Sequence, residues 1–132
     1  MPIFVLTMGS TLIDGYQNNN GLGLTAEDQM DYLYWLADYA HEKGLKIALK
    51  NTLGLIQSGN LHKRFDFAIN EECHTYNECG NLRPFINQNK AVFIAEYKGN
   101  KEQYCPLARQ EKYFLAFFDL DLTGQKYDPC TQ

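Results

Sequence analysis

Apolar positions in this chain fall into short runs of strand length, separated by stretches with helical spacing. Residues 45–50, 65–71 and 91–97 are apolar runs that close on polar residues: Leu49-Lys50-Asn51, Ile69-Asn70-Glu71-Glu72 and Ala95-Glu96-Tyr97. Between them, Met30, Leu33, Leu36, Ala37 and Ala40 recur at i, i+3, i+4 spacing and predict a helix over residues 26–43. Thr25 with Asp28 three residues on supplies its N-cap, and Gly44 its stop. Trp35 reads as a core residue of that helix. Residues 53–62 predict a short, glycine-punctuated helix, and residues 82–88 another, with Pro84 in its first turn. Residues 99–103 read as a polar loop and residues 106–114 as a helix. Residues 3–7 suit a short strand; residues 115–120 fit a terminal strand or a helix end.

Strands of five to seven residues alternating with helices indicate parallel βαβ units, hence an α/β fold of open-sheet or (β/α) barrel type. In such folds the loops after the strands carry the chemistry. The polar closures of the strands are therefore the first place to look for a site. Alternatively, Glu71 and Glu72 only solvate a strand end.

Composition narrows the classes. The chain has 132 residues, enough for one modest domain, and a net charge of −4. There is no basic run, which argues against nucleic acid. No segment reaches the roughly 18 apolar residues that would cross a bilayer. The N-terminus lacks the positively charged start and long apolar stretch of an export signal. Four cysteines, Cys73, Cys79, Cys105 and Cys130, suggest two disulfides, although sequence alone allows three pairings. Zinc is the competing reading for Cys73, His74 and Cys79, but there is no C-x-x-C and no histidine at ligand spacing. Disulfides imply an oxidising compartment, at odds with the missing signal.

Several motifs fail on inspection. Residues 119–124 imitate the start of an EF-hand loop, but its twelfth position is Cys130 rather than Glu. Cys73 beside His74 lacks nucleophile–base geometry, and a bridge to Cys79 would block it. No dinucleotide, phosphate-loop or serine-hydrolase signature occurs. What remains is carboxylates: Asp14, Glu71, Glu72 and Glu96, with Lys50 and Asn51 between them. Glycoside hydrolysis needs such a pair, one acid to protonate the leaving oxygen and one carboxylate as base or nucleophile, about 5–9 Å apart.

The chain also resembles a known family. Asp14-Gly15-Tyr16, Gly23-Leu24-Thr25, Trp35-Leu36-Ala37, Leu49-Lys50-Asn51, Phe65-Asp66-Phe67-Ala68, Asn70-Glu71, Cys73, Glu78-Cys79, Lys90-Ala91-Val92-Phe93 and Glu96-Tyr97 are similar, in order, to glycoside hydrolase family 114. These are TIM-barrel enzymes of the endo-α-1,4-polygalactosaminidase type, also labelled α-galactosidase-like. The resemblance spans residues 13–130 and corresponds to the C-terminal half of the family barrel; residues 1–12 do not match.

The resemblance implies a partial (β/α) barrel from a secreted, disulfide-bonded protein. It implies a galactose- or galactosamine-containing polysaccharide as partner, and no cofactor or metal. Glu71 matches one catalytic carboxylate and is expected to act as general acid. The family's other catalytic Asp falls on Thr11, which leaves Asp14 as a substitute. Tyr16, Lys50, Asn51, Glu96 and Tyr97 are expected to hold sugar hydroxyls. A truncated or mis-started product would reconcile the absent signal with the disulfides, and its open barrel edges would favour self-association. Two further readings follow: a non-catalytic carbohydrate-binding remnant, and a cysteine-based redox domain.

Overall fold

A computed structural model of the chain describes residues 3–4, 15–17, 19 and 21–131. Strands β1 (Ile3–Phe4), β2 (Lys46–Lys50), β3 (Phe67–Glu71), β4 (Val92–Glu96), β5 (Phe114–Phe118) and β6 (Tyr127–Pro129) form one sheet in sequential order. The first five are parallel, and β6 runs antiparallel to β5. Helices α1 (Ala26–Glu42), α2 (Leu61–Arg64), α3 (Arg83–Asn87) and α4 (Lys101–Glu111) make the crossovers. This is the arrangement of a partial (β/α) barrel: parallel neighbours in sequential order, each joined through a helix.

Helix α1 starts and stops on the residues that predict it. Thr25 Oγ1 accepts from the Asp28 N–H at 3.1 Å, and Asp28 Oδ2 accepts from the Thr25 N–H at 2.8 Å. Gly44 takes the left-handed conformation (φ +72°) just beyond the helix, where a side chain would be strained. Leu33, Leu36, Ala37 and Ala40 are buried, joined by Gln29, while Met30 is only partly buried. Trp35 departs from expectation: it is 57% exposed, on the opposite face from the core stripe. Tyr32, Trp35 and Tyr39 form their own ridge on the solvent side.

Two other elements differ from the sequence reading. The stretch 99–103, expected as a loop, opens helix α4: the Asn100 side chain accepts from the Glu102 N–H at 2.9 Å, capping a helix that runs through Pro106. A proline usually begins a helix, which is why it misled; here the interior position is held by buried Ala108 and by the Cys105–Cys130 disulfide. The ambiguous stretch after it is strand β5, starting at Phe114. Strand β6 had no forecast. It is short, polar and contains Pro129, which suits an edge position. It also occupies the side of β5 that was expected to be a bare edge.

The helix-side face of the sheet is the core: Ile47, Leu49, Ala68, Val92, Ile94, Leu115 and Phe117 are buried against the helices. On the opposite face Phe67, Phe93 and Phe114 make an aromatic row, with centroids 6.0 and 5.2 Å apart. A closed barrel buries that inner face; here Phe93 and Phe114 remain 42% and 45% exposed.

Candidate active site

The polar ends of β2, β3 and β4 lie side by side, as parallel register requires: Lys50 pairs with Ile69, and Glu71 with Ala95. Asn51 and Thr52 both take φ +57°, turning the chain sharply after β2. That turn aims the Asn51 amide across the strand gap. Its Oδ1 accepts from the Glu71 N–H at 3.0 Å and from Asn70 Nδ2 at 3.2 Å, while its Nδ2 donates to Glu71 Oε2 at 3.4 Å. Glu71 is thus held by backbone and side chain at once.

Two more groups meet the Glu71 carboxylate. The Tyr97 hydroxyl donates to Oε1 at 2.5 Å, and Lys50 Nζ lies 3.5 Å from Oε2. Partial burial alone would raise the Glu71 pKa; the Tyr97 hydrogen bond, the Lys50 charge and the Asn51 amide outweigh it, and the carboxyl is held below its usual range. A carboxylate kept ionised suits a base or nucleophile. Among the described residues, each polar partner of the Glu71 carboxylate is a donor or a cation and favours its ionised form.

Glu96 also departs from its expected role. It is fully buried, not set to hold sugar hydroxyls. Its Oε1 accepts from the His74 N–H at 2.7 Å and its Oε2 from the Thr75 hydroxyl at 2.8 Å. The cause is phase along the strand: Glu96 follows Val92 and Ile94 onto the helix side, whereas Glu71 follows Phe67 and Ile69 onto the inner face. Burial raises the Glu96 pKa despite those hydrogen bonds, and the charge of Glu72 adds to the rise. Glu96 anchors the loop above it, which the Cys73–Cys79 disulfide closes.

That loop brings residues the sequence reading missed. Tyr76 and Glu78 line a polar cleft of about 290 Å³ together with Tyr16, Gln17, Asn51 and Glu71. Tyr76 had only its position between two cysteines after a strand as a sequence signal, and Glu78 had that and its place in the family-like Glu78-Cys79. Lys50 and Tyr97 lie on the other side of Glu71, at the rim of a cavity of about 450 Å³ over the inner aromatic face. Of the expected site residues, Tyr16, Asn51 and Glu71 therefore share the cleft, Lys50 and Tyr97 flank Glu71, and Glu96 lies beneath. Asp14 and Thr11 fall outside the described residues.

The thiol-based readings meet the disulfides. Cys73, His74 and Cys79 have donor atoms within 4.8 Å of one another, but the two sulfurs are bonded together and offer no thiolate to a metal or substrate. The second bridge joins Cys105 to Cys130, so the pairing is sequential. His74 stacks on Tyr104 with centroids 5.1 Å apart, and its burial lowers its pKa. Asp119, the first residue of the EF-hand imitation, spends its carboxylate on its own turn, accepting from the N–H and hydroxyl of Thr123 at 2.8 Å each.

Comparison with known proteins fits this geometry. Glycoside-hydrolase family GH114 matches residues 12–132, nearly the whole chain. The chain belongs to that family. Among solved structures it is similar to Aspergillus fumigatus Ega3, crystallised in complex with galactosamine, at 30% identity and a TM-score of 0.76. The likeness covers 89% of this GH114 chain and 51% of the Ega3 chain, so the chain spans about half of Ega3's length. No curated protein matches the chain.

Proposed function

We propose that this GH114 chain carries the carboxylate side of a glycosidase site for galactosamine-containing polysaccharide. The observation that supports the reading most is the Glu71 carboxylate, held ionised by Tyr97, Lys50 and Asn51 at the mouth of a polar cleft. In that position it acts as the base or nucleophile of a two-carboxylate mechanism. Asp14 and Glu78 are the candidates for the proton donor: Asp14 through the family resemblance, Glu78 because it lines the same cleft as Glu71. Tyr16, Tyr76 and Asn51 would bind the sugar, Tyr by stacking and Asn51 by hydrogen bonds. Tyr97 and Lys50 act through Glu71, setting its charge and orientation. The galactosamine bound by Ega3 favours an amino sugar over galactose in the substrate.

The test is turnover of a galactosamine-rich polymer and of an aryl α-galactoside by the chain, its Glu71→Gln variant, and Asp14→Asn and Glu78→Gln variants. Turnover that vanishes in Glu71→Gln and falls in one of the other two supports the reading and names the acid. Turnover unaffected by Glu71→Gln overturns it.

A second reading, a carbohydrate-binding remnant without catalysis, draws on Thr11 standing where the family resemblance expects an Asp. Thr11→Asp distinguishes the two, since only a remnant would need it to turn over substrate. Two disulfides fit an oxidising, extracellular setting. Among the described residues no helix is long and apolar enough to cross a membrane.

A further inference from the structure

The ridge on the outer face of α1 has no part in the cleft. Tyr32, Trp35 and Tyr39 are 41%, 57% and 48% exposed, and their rings run in series, with centroids 6.1 and 5.4 Å apart and neighbouring planes 20° and 17° apart. Positions i, i+3 and i+7 keep them on one stripe over about 10 Å of helix, at 1.5 Å per residue. Helix α1 ends four residues before Lys46 opens β2, and β2 ends at the cleft with Lys50. The ridge therefore descends the outer wall from the cleft end toward the opposite end.

Burial does not account for these rings, since the core stripe of α1 lies on its other side. Exposed Asp31, Asp38 and Glu42 border the ridge; Asp38 pairs with Arg64 at 3.2 Å and Glu42 lies 3.8 Å from Lys43 Nζ, while Asp31 has no ion pair among the described residues. One ring face already receives a cation: Lys43 Nζ sits 5.2 Å from the Tyr39 centroid. Flat aromatic faces stack on the apolar face of a pyranose, and both ring faces and carboxylates attract an ammonium group. The whole chain is acidic as well, with a net charge of −4.

We infer that the Tyr32–Trp35–Tyr39 ridge is a second polysaccharide-binding site, separate from the cleft, for a polymer carrying free amino groups. It would hold a cationic aminosugar chain along the outer wall and raise its concentration near the cleft. This inference rests on the amino-sugar substrate proposed above for its choice of ligand, but it does not depend on Glu71 being catalytic.

The test measures retention of a deacetylated galactosamine polymer and of its N-acetylated counterpart by the 132-residue chain in the Glu71→Gln background. There hydrolysis cannot deplete the probe, and a failure of the catalytic reading leaves the result intact. Trp35→Ala is expected to weaken retention of the deacetylated polymer by about tenfold. The pair Asp31→Asn with Glu42→Gln, which leaves every ring in place, is expected to weaken it severalfold and to spare the N-acetylated polymer. With otherwise native chain, Trp35→Ala should leave turnover of an aryl galactoside unchanged. Equal retention by Trp35→Ala overturns the site. Equal loss for both polymers overturns the cationic ligand. A change in sedimentation on Trp35→Ala, with retention unchanged, would instead mark the ridge as a contact between copies.

Discussion

Strand β3 carries a carboxylate cluster at each end, and the two make opposite use of similar parts. At its start, Asp66 accepts from the Ile47 N–H at 2.8 Å and from His41 Nε2 at 2.9 Å, with Lys46 Nζ at 3.1 Å. At its finish, Glu71 meets Tyr97, Lys50 and Asn51. Each carboxyl is partly buried, which would raise its pKa, and each is brought below its usual range by donors and a lysine that outweigh the burial. The difference lies in what the donors belong to. Asp66 binds a backbone amide of the neighbouring strand and thereby ties β2 to β3. Among the described residues the Glu71 carboxylate accepts only from side chains, and it lines a cleft. Nearby, Asn51, Thr52 and Glu72 all take left-handed conformations, which turn the chain sharply after β2 and β3. The same chemistry thus supports the scaffold at the foot of the strand and, on the function proposed above, a reactive carboxylate at its top, the division expected of barrel strands.

The largest predicted contrast is between removing each carboxylate. Glu71→Gln should lower turnover by about a thousandfold or more, with little change in thermal midpoint. Asp66→Ala should do the reverse: about 2 kcal/mol of stability lost, from the orphaned Ile47 N–H, with turnover per folded molecule retained. Calorimetry and a turnover assay on both variants measure the contrast; a stability loss in Glu71→Gln matching that of Asp66→Ala would erase it.

Glu96 sharpens the comparison, being an acid at a strand end that works as scaffold. Glu96→Ala strands the His74 N–H and the Thr75 hydroxyl in a buried site and should cost about 3 kcal/mol. Glu96→Gln keeps an acceptor for His74 and should fold. Because the Glu96 pKa is raised in the fold, the native chain loses stability as pH rises from 4.5 through the raised folded value. The Gln variant should lack that slope, which denaturant titrations between pH 4 and 7 would reveal.

A smaller effect is expected from Tyr97→Phe. Removing the hydroxyl deletes a contact that lowers the Glu71 pKa, so the acidic limb of the pH–rate profile should move upward, with turnover falling about tenfold. An unmoved limb would mean that Lys50 and Asn51 suffice. The smallest shift lies in stability at acid pH. The lowered pKa of Asp66 contributes stability above its unfolded value of 3.8, and this is lost as pH falls through the folded value. Asp66→Asn should flatten that part of the curve.

Local signals were enough where they were self-contained. Thr25, Asp28 and Gly44 bound α1 within a residue, because capping is chemistry among neighbours in sequence. The apolar runs of β2, β3 and β4 and the pairing of strand ends with polar residues were legible for the same reason. The exposure of Trp35 was equally local: at 100° per residue it lies opposite the stripe of Leu33, Leu36, Ala37 and Ala40, and its apolar character argued against its phase. Helix α4 began earlier than Pro106 suggested, because Asn100 caps it and a disulfide from Cys130, far along the chain, holds it.

By itself the sequence determined the alternation of strands and helices, the even set of cysteines and the acids closing the apolar runs. Tertiary structure decided which acid faces the cleft and which lies buried beneath it. Strands flanked by apolar residues on both faces read as unbroken apolar runs, so the phase that turns Glu71 inward and Glu96 toward the helices is invisible until the sheet has two sides. It also decided that Tyr76 and Glu78 reach the cleft, since that needed a disulfide-closed loop folded over a buried carboxylate.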